Sequence, residues 1–168
     1  MKVFDMDSHL REGYFLDEVY RLDGPLARYT PKKGSGGRSH ATRFVHTLEP
    51  GDARALAAFK HPYIYDPKND PDLADRQKGG YDMGRRLADL RKEGIDKQVI
   101  FPTGIDIATK NVGELGAALA RSYNEWVGKL VKGYESVFLP CAAAPAGCPE
   151  WMAAELRRCV REKGFKAG

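Results

Sequence analysis

The feature that most constrains the fold of this chain is an alternation of helical and extended patterns over residues 82–168. Apolar residues recur at helical spacing in three stretches, which begin near Asp82, Asn111 and Pro149. Short apolar runs separate and follow these stretches, at residues 99–101, 137–143 and 165–168. Strands and helices that alternate with short connections predict parallel βαβ units with right-handed crossovers, so the predicted fold class is α/β.

The predicted helices carry capping signals at both ends. Asp82 can accept a hydrogen bond from the first turn of its helix, and Pro149 suits a first helical position. Glu114 follows Asn111 at the spacing of a capping box. Glycines that suit the left-handed conformation beyond a helix end follow all three stretches, at Gly94, Gly133 and Gly164.

Residues 3–12, Val-Phe-Asp-Met-Asp-Ser-His-Leu-Arg-Glu, predict a strand that ends in metal-ligand chemistry. Period two separates two sets of side chains, Phe4, Met6 and Ser8 on one face and Val3, Asp5, Asp7 and His9 on the other. Residues two apart on one face have Cα atoms roughly 6.5–7 Å apart, so Asp7 and His9 can reach one cation. Carboxylate and imidazole suit zinc, manganese or iron better than calcium. A solvated strand end is the alternative interpretation.

Composition and charge exclude several classes of function. The chain has 168 residues, of which 42% are hydrophobic, enough for one domain with a packed core. Its net charge of +4 arises from basic and acidic residues that are interspersed, so we expect no nucleic-acid partner. No apolar window approaches the roughly 18 residues of a membrane span, and no leader pattern opens the chain. We therefore expect a cytoplasmic protein with no membrane partner.

Residues 23–80 form a long excursion, rich in proline and with a glycine-rich segment at 34–37. Such insertions in a compact domain are usually lids, binding loops or disordered segments. The glycines are not followed by the Gly-Lys-Ser/Thr of a phosphate loop. We interpret 1–168 as one domain that contains 23–80 as an irregular insertion or lid, with one short helix around 53–59.

Several individual side chains receive structural interpretations. Cys141, Cys148 and Cys159 lack CxxC spacing and predict reduced thiols, and Cys141 is interpreted as buried rather than nucleophilic. Tyr123 and Trp126 are assigned to helix packing, and Asn124 is assigned as a local hydrogen-bonding anchor. Arg85 and Arg86 are assigned to a solvated helix edge.

An ordered set of sequence blocks resembles the N-terminal half of a known enzyme family. The blocks are residues 5–12, 80–82, 86–90, 93–96, 99–103, 120–126, 155–158 and 164–166. They are similar in order and rough spacing to the amidohydrolase-related family that includes aminocarboxymuconate-semialdehyde decarboxylase and the γ-resorcylate-type decarboxylases.

This resemblance implies a metal-dependent (β/α)₈ TIM barrel whose first strand supplies two ligands, here Asp7 and His9. Family members often carry His-x-His or Glu-x-His at this place. It implies a divalent metal, with zinc preferred and manganese or iron as alternatives. Arg11, Glu12 and Thr103 are candidates to line the substrate side. Glu12 is usually followed by proline in relatives, whereas Gly13 follows it here, so the turn after the first strand is expected to differ.

The resemblance covers only about four β/α units. Relatives supply the remaining ligands and the catalytic acid/base from the fifth, sixth and eighth strands, so no catalytic residue is assigned here. A barrel of this kind takes roughly 250 residues, and four strands cannot close. An open half would expose two sheet edges, so we expect a second polypeptide with the other half, or self-association. A split, cleaved or truncated gene product is the competing explanation.

Two functional hypotheses follow. The first is a half-barrel subunit or fragment of an enzyme that decarboxylates or hydrolyses a small carboxylic acid, and that is inactive alone. The alternative is a non-catalytic assembly or regulatory half-barrel, or a truncated inactive product.

Overall fold

A computed structural model describes residues 2–10, 21–29, 42–44, 56–58, 78–102 and 112–168. The strands in these ranges are β1 (Phe4–His9), β2 (Thr42–Phe44), β3 (Leu56–Ala58), β4 (Lys97–Phe101) and β5 (Phe138–Pro140). The α-helices are α1 (Met83–Lys92), α2 (Gly113–Leu130) and α3 (Pro149–Lys163). Two short 3₁₀ turns span Gly24–Tyr29 and Lys78–Gly80. No helix of these ranges is both long and apolar enough to cross a membrane.

A parallel sheet of order β1-β4-β5 forms the centre of the fold. Beyond β5, Cys141 forms a parallel bridge with Ala167, and the amide of Ala142 donates to the Ala167 carbonyl at 2.9 Å. Of the further strand predicted to begin at 165–168, one residue, Ala167, is therefore paired with the chain that follows β5. Because helices lie between successive parallel strands, the predicted α/β class is confirmed.

Part of the insertion is extended rather than helical. Residues 42–44 and 56–58 pair as the antiparallel strands β2 and β3. The short helix predicted around 53–59 is therefore wrong over the three residues of β3, because their backbone groups are committed to a neighbouring strand.

The first strand departs from strict alternation. Asp5 pairs with Gln98 and Ser8 pairs with Ile100, so three steps along β1 match two steps along β4. This bulge breaks the predicted grouping of Asp5 with Asp7 and His9 on one face, because an extra residue reverses the alternation beyond it. The Ser8 hydroxyl donates to the Val99 carbonyl at 2.8 Å inside the protein.

The core lies between the sheet and the helices. Along α2, one stripe of side chains is buried at intervals of three and four, Leu119, Tyr123, Trp126 and Val127. Ile100 and Phe138 meet this stripe from the sheet, and Cys159 meets it from α3. The rings of Tyr123 and Trp126 are 5.9 Å apart, which agrees with their predicted packing role.

Most of the predicted helix ends are observed. Gly94 and Gly164 both have φ of +70°, the left-handed conformation in which a side chain would be strained. The predicted capping box of α2 is not observed, because the residue before its first turn is Val112, which carries no acceptor. Asn111 lies outside the described ranges.

We predict that Asp82→Ala lowers the free energy of unfolding by about 1 kcal/mol, because α1 loses its cap. The Asp82 carboxylate accepts the backbone amide of Arg85 at 2.9 Å. Asp82→Asn keeps an acceptor and serves as the matched control. Urea denaturation of both variants measures the difference, and equal losses would show that the carboxylate contributes by some other contact.

Candidate metal centre

Asp7 and His9 lie together at the carboxyl end of β1. Nε2 of His9 is 3.5 Å from Oδ1 of Asp7, and the two side chains are 50% and 87% exposed, respectively. Two donors at about 2.1 Å from one tetrahedral ion are about 3.4 Å apart, so this separation fits chelation of a single cation. The donor set, one carboxylate oxygen and one imidazole nitrogen, suits zinc, manganese or iron.

This pair alone does not make a tight metal site. A tight transition-metal site takes three or four protein ligands. Within the described ranges, no group of three or more His, Cys, Asp or Glu side chains is placed to hold one metal ion. Asp7 and His9 are therefore a candidate pair of ligands, with no third side chain of these types grouped with them in the described ranges.

The predicted substrate-side residues Arg11, Glu12 and Thr103 lie outside the described residues, so their assignment stays a prediction. Phe101, at the end of β4, lies beside the pair, and its ring centroid is 6.4 Å from that of His9. Phe101 keeps 36% of its surface exposed, so the pair has an apolar wall on this side.

Arg86 belongs to this end of the sheet, although the sequence predicted a solvated helix edge. Its Nε donates to Oε1 of Gln98, and Nε2 of Gln98 donates to Oδ2 of Asp5. Burial lowers the pKa of Arg86, and the nearby Asp5 carboxylate opposes that shift. Hydrogen bonds from the Gln98 side chain and the Asp7 amide hold the pKa of Asp5 below its ordinary value. The sequence prediction was wrong for Arg86, because the spacing of residues along a helix cannot show a contact with a strand that is distant in sequence.

A second polar cluster fixes the chain that follows β5. Asn124 is fully buried, and its amide donates to the Ala143 carbonyl at 2.9 Å and accepts from the Ala143 amide at 2.8 Å. Asn124 also donates to Glu155, which pairs with Arg158 at 2.6 Å. The predicted local role of Asn124 is therefore too narrow, because these partners lie 19 and 31 residues away.

The cysteines in this region agree with the sequence interpretation. Cys141, Cys148 and Cys159 are all free thiols. Burial raises the pKa of Cys141, and burial together with the Glu155 carboxylate raises that of Cys159 to about 12. A thiol that stays protonated is a poor nucleophile, so the structural interpretation of Cys141 holds.

Comparison with known proteins shows similarity at the level of structure. No protein-family model matches the sequence, and no curated protein sequence matches it either. One similar crystal structure is that of a 5-carboxyvanillate decarboxylase from Novosphingobium aromaticivorans, with bound manganese and 3-methoxy-4-hydroxy-5-nitrobenzoic acid. The similarity covers 99% of this chain and 40% of the decarboxylase chain, with a TM-score of 0.58 and 20% sequence identity. A dihydroxybenzoic acid decarboxylase from Polaromonas sp. JS666, with bound manganese and 2-nitroresorcinol, covers 100% of this chain and 38% of its own, with a TM-score of 0.56 and 17% identity.

These likenesses establish the fold. The chain spans about two fifths of the length of the two decarboxylases. Its parallel sheet and surrounding helices therefore have the arrangement found in part of those metal-containing decarboxylase structures.

Proposed function

We propose that Asp7 and His9 are two ligands of a divalent metal in an amidohydrolase-type enzyme that decarboxylates a small aromatic or conjugated carboxylic acid. The observation that carries this proposal is the convergence of the two side chains at the carboxyl end of a parallel strand, 3.5 Å apart. Sites in such folds lie at this edge of the sheet. The likeness to two decarboxylases with bound manganese supports the reaction class. Hydrolysis of an amide or ester-like bond is the second reaction of which this arrangement is capable.

The finer structural proposal is an N-terminal half of a (β/α)₈ barrel that a second polypeptide, or a second copy of this chain, completes. In the described sheet, β1 lies at one edge, and at the other edge a single parallel bridge between Cys141 and Ala167 lies beyond β5. Met6 and Phe4 on β1 are 62% and 46% exposed. Apolar side chains beside an open edge favour association with further strands.

The residues at the proposed site have separable roles. A bound divalent ion would supply Lewis acidity toward a substrate carboxylate or a neighbouring hydroxyl. Asp7 contributes a negative charge to the ligand set and His9 contributes a neutral nitrogen. Phe101 offers an apolar surface beside His9 that suits a planar substrate. Arg11 and Glu12 follow β1 in sequence and, with Thr103 after β4, are proposed to contact the substrate.

The metal is proposed to be manganese or zinc. The ligand types favour zinc, which takes imidazole and carboxylate readily. The two similar structures hold manganese, which favours that ion. Metal analysis of the complex purified without added metal distinguishes the two.

To test the reaction, the chain is purified from its source together with its bound partners. The complex is then incubated with a panel of hydroxybenzoic acids and with amide and ester probes. We expect release of carbon dioxide from a hydroxybenzoic acid. This activity should be lost when a chelator removes the metal and restored when manganese or zinc is added. Hydrolysis of an amide or ester probe would instead indicate that the enzyme is a hydrolase. A metal-loaded complex that turns over neither class would contradict an enzymatic role and favour a non-catalytic subunit.

A further inference from the structure

The guanidinium of Arg86 touches the backbone of the strand that carries both candidate ligands. Its Nη1 donates to the carbonyl oxygen of His9 at 3.2 Å and to that of Gly79 at 2.8 Å. The same group reaches Asp5 through Gln98. One side chain from α1 is therefore tied to both ends of the segment 5–9.

This segment needs such support because its strand pairing is interrupted. Register partners on β4 are found for Asp5, Ser8 and His9, and the bulge lies between the first two. Asp7 sits inside the bulge, where its amide donates to Oδ1 of Asp5 at 3.1 Å. A bulge disrupts the ladder locally, so its geometry depends on side-chain contacts at its two ends.

We propose that Arg86 is a positioning residue that fixes the backbone of Asp7 and His9 so that both side chains face one metal ion. This inference rests on the proposed metal-binding function. Three acceptors in different directions require the planar, forked guanidinium, whereas the single ammonium of lysine cannot reach all of them at once. Groups that orient metal ligands change metal affinity by about 10–100-fold when they are removed.

The test is a calorimetric titration of manganese into the full chain, in the complex in which it is purified. Arg86→Met should weaken binding by about 10–100-fold. Arg86→Lys should give a smaller loss, and it keeps the test available if the methionine variant does not fold. Arg85→Met is the matched control, because Arg85 pairs with Asp89 on its own helix at 3.0 Å, and its affinity should stay within about twofold of wild type. Wild-type affinity in the folded Arg86 variants would overturn the proposal.

A second measurement needs no metal and separates this proposal from the proposed function. In the metal-free chain, the backbone amides of His9 and Leu10 should become more mobile in ¹⁵N relaxation when Arg86 is replaced, and not when Arg85 is replaced. If the wild-type chain binds no manganese while this mobility difference is present, the metal function fails and the positioning role stands. If His9 is equally ordered in all variants, the positioning role fails whatever the metal result.

Discussion

Replacing Asp7 and His9 together with alanine is expected to abolish stoichiometric binding of a divalent ion to this chain and to the complex that contains it. The two side chains are the converging carboxylate and imidazole at the strand end. Loss of a group that merely orients a ligand weakens binding by about 10–100-fold, so loss of His9 alone should weaken it by more than about 100-fold. Asp7→Asn should weaken it as well, because the ligand set loses its charge.

The loss should be specific to the metal. Both side chains are largely exposed, so the free energy of unfolding without metal should change by less than about 0.5 kcal/mol. Glu93→Gln, on the surface after α1, removes one negative charge elsewhere and should bind metal normally. Calorimetry with manganese and elemental analysis of the purified complex measure the effect. Unchanged binding by the double variant would mean that Asp7 and His9 form only a solvated strand end.

Arg158→Met is expected to destabilise the fold by about 3–5 kcal/mol, because it leaves the Glu155 carboxylate buried without its cation. Arg158 donates to both carboxylate oxygens of Glu155 and to Oε1 of Glu125 at 2.6 Å. The Arg158 and Glu155 side chains are only 10% and 9% exposed. Arg157→Met, one position earlier and on the surface, should change stability by less than about 0.5 kcal/mol. Denaturant unfolding at pH 7 measures both values.

The pH dependence of this effect has a definite sign. Burial raises the pKa of Glu155, but hydrogen bonds from Arg158 and Asn124 outweigh burial and leave that pKa below its ordinary 4.5. The wild-type contribution is therefore complete above the unfolded pKa and lost as the pH falls through the folded one. Without Arg158, burial dominates and raises the pKa, so acidification relieves the penalty. The difference between wild type and Arg158→Met should shrink below pH 5, and a constant difference would contradict this account.

The sequence predicted the elements that depend on local chemistry. Asp82, Gly94 and Gly164 mark helix ends because capping involves only neighbouring residues, and these predictions were correct. The alternation of helical and extended apolar patterns was sufficient to predict the parallel α/β sheet. The spacing of apolar residues distinguishes helices from strands, and strands that alternate with helices through short connections pair in parallel.

Only the local part of the candidate site could be predicted. The proximity of Asp7 and His9 was predicted correctly, because residues two apart at the end of a strand lie close together. Their role as metal ligands stays a prediction. The bulge next to Asp5 was missed, since it results from pairing with a strand about 90 residues away. Arg86 was misassigned for the same reason, because its acceptor at His9 lies 77 residues away. The substrate-side roles of Arg11, Glu12 and Thr103 remain predictions.

The first measurement to make is native mass spectrometry of the chain purified from its source, because partner mass and bound metal are read together. We expect a complex of this chain with a second polypeptide, or with a second copy, that carries a divalent ion. The wild-type complex should retain this ion, and the Asp7→Ala, His9→Ala variant should lose it. A monomer that stays free of metal in excess manganese and zinc would contradict this expectation.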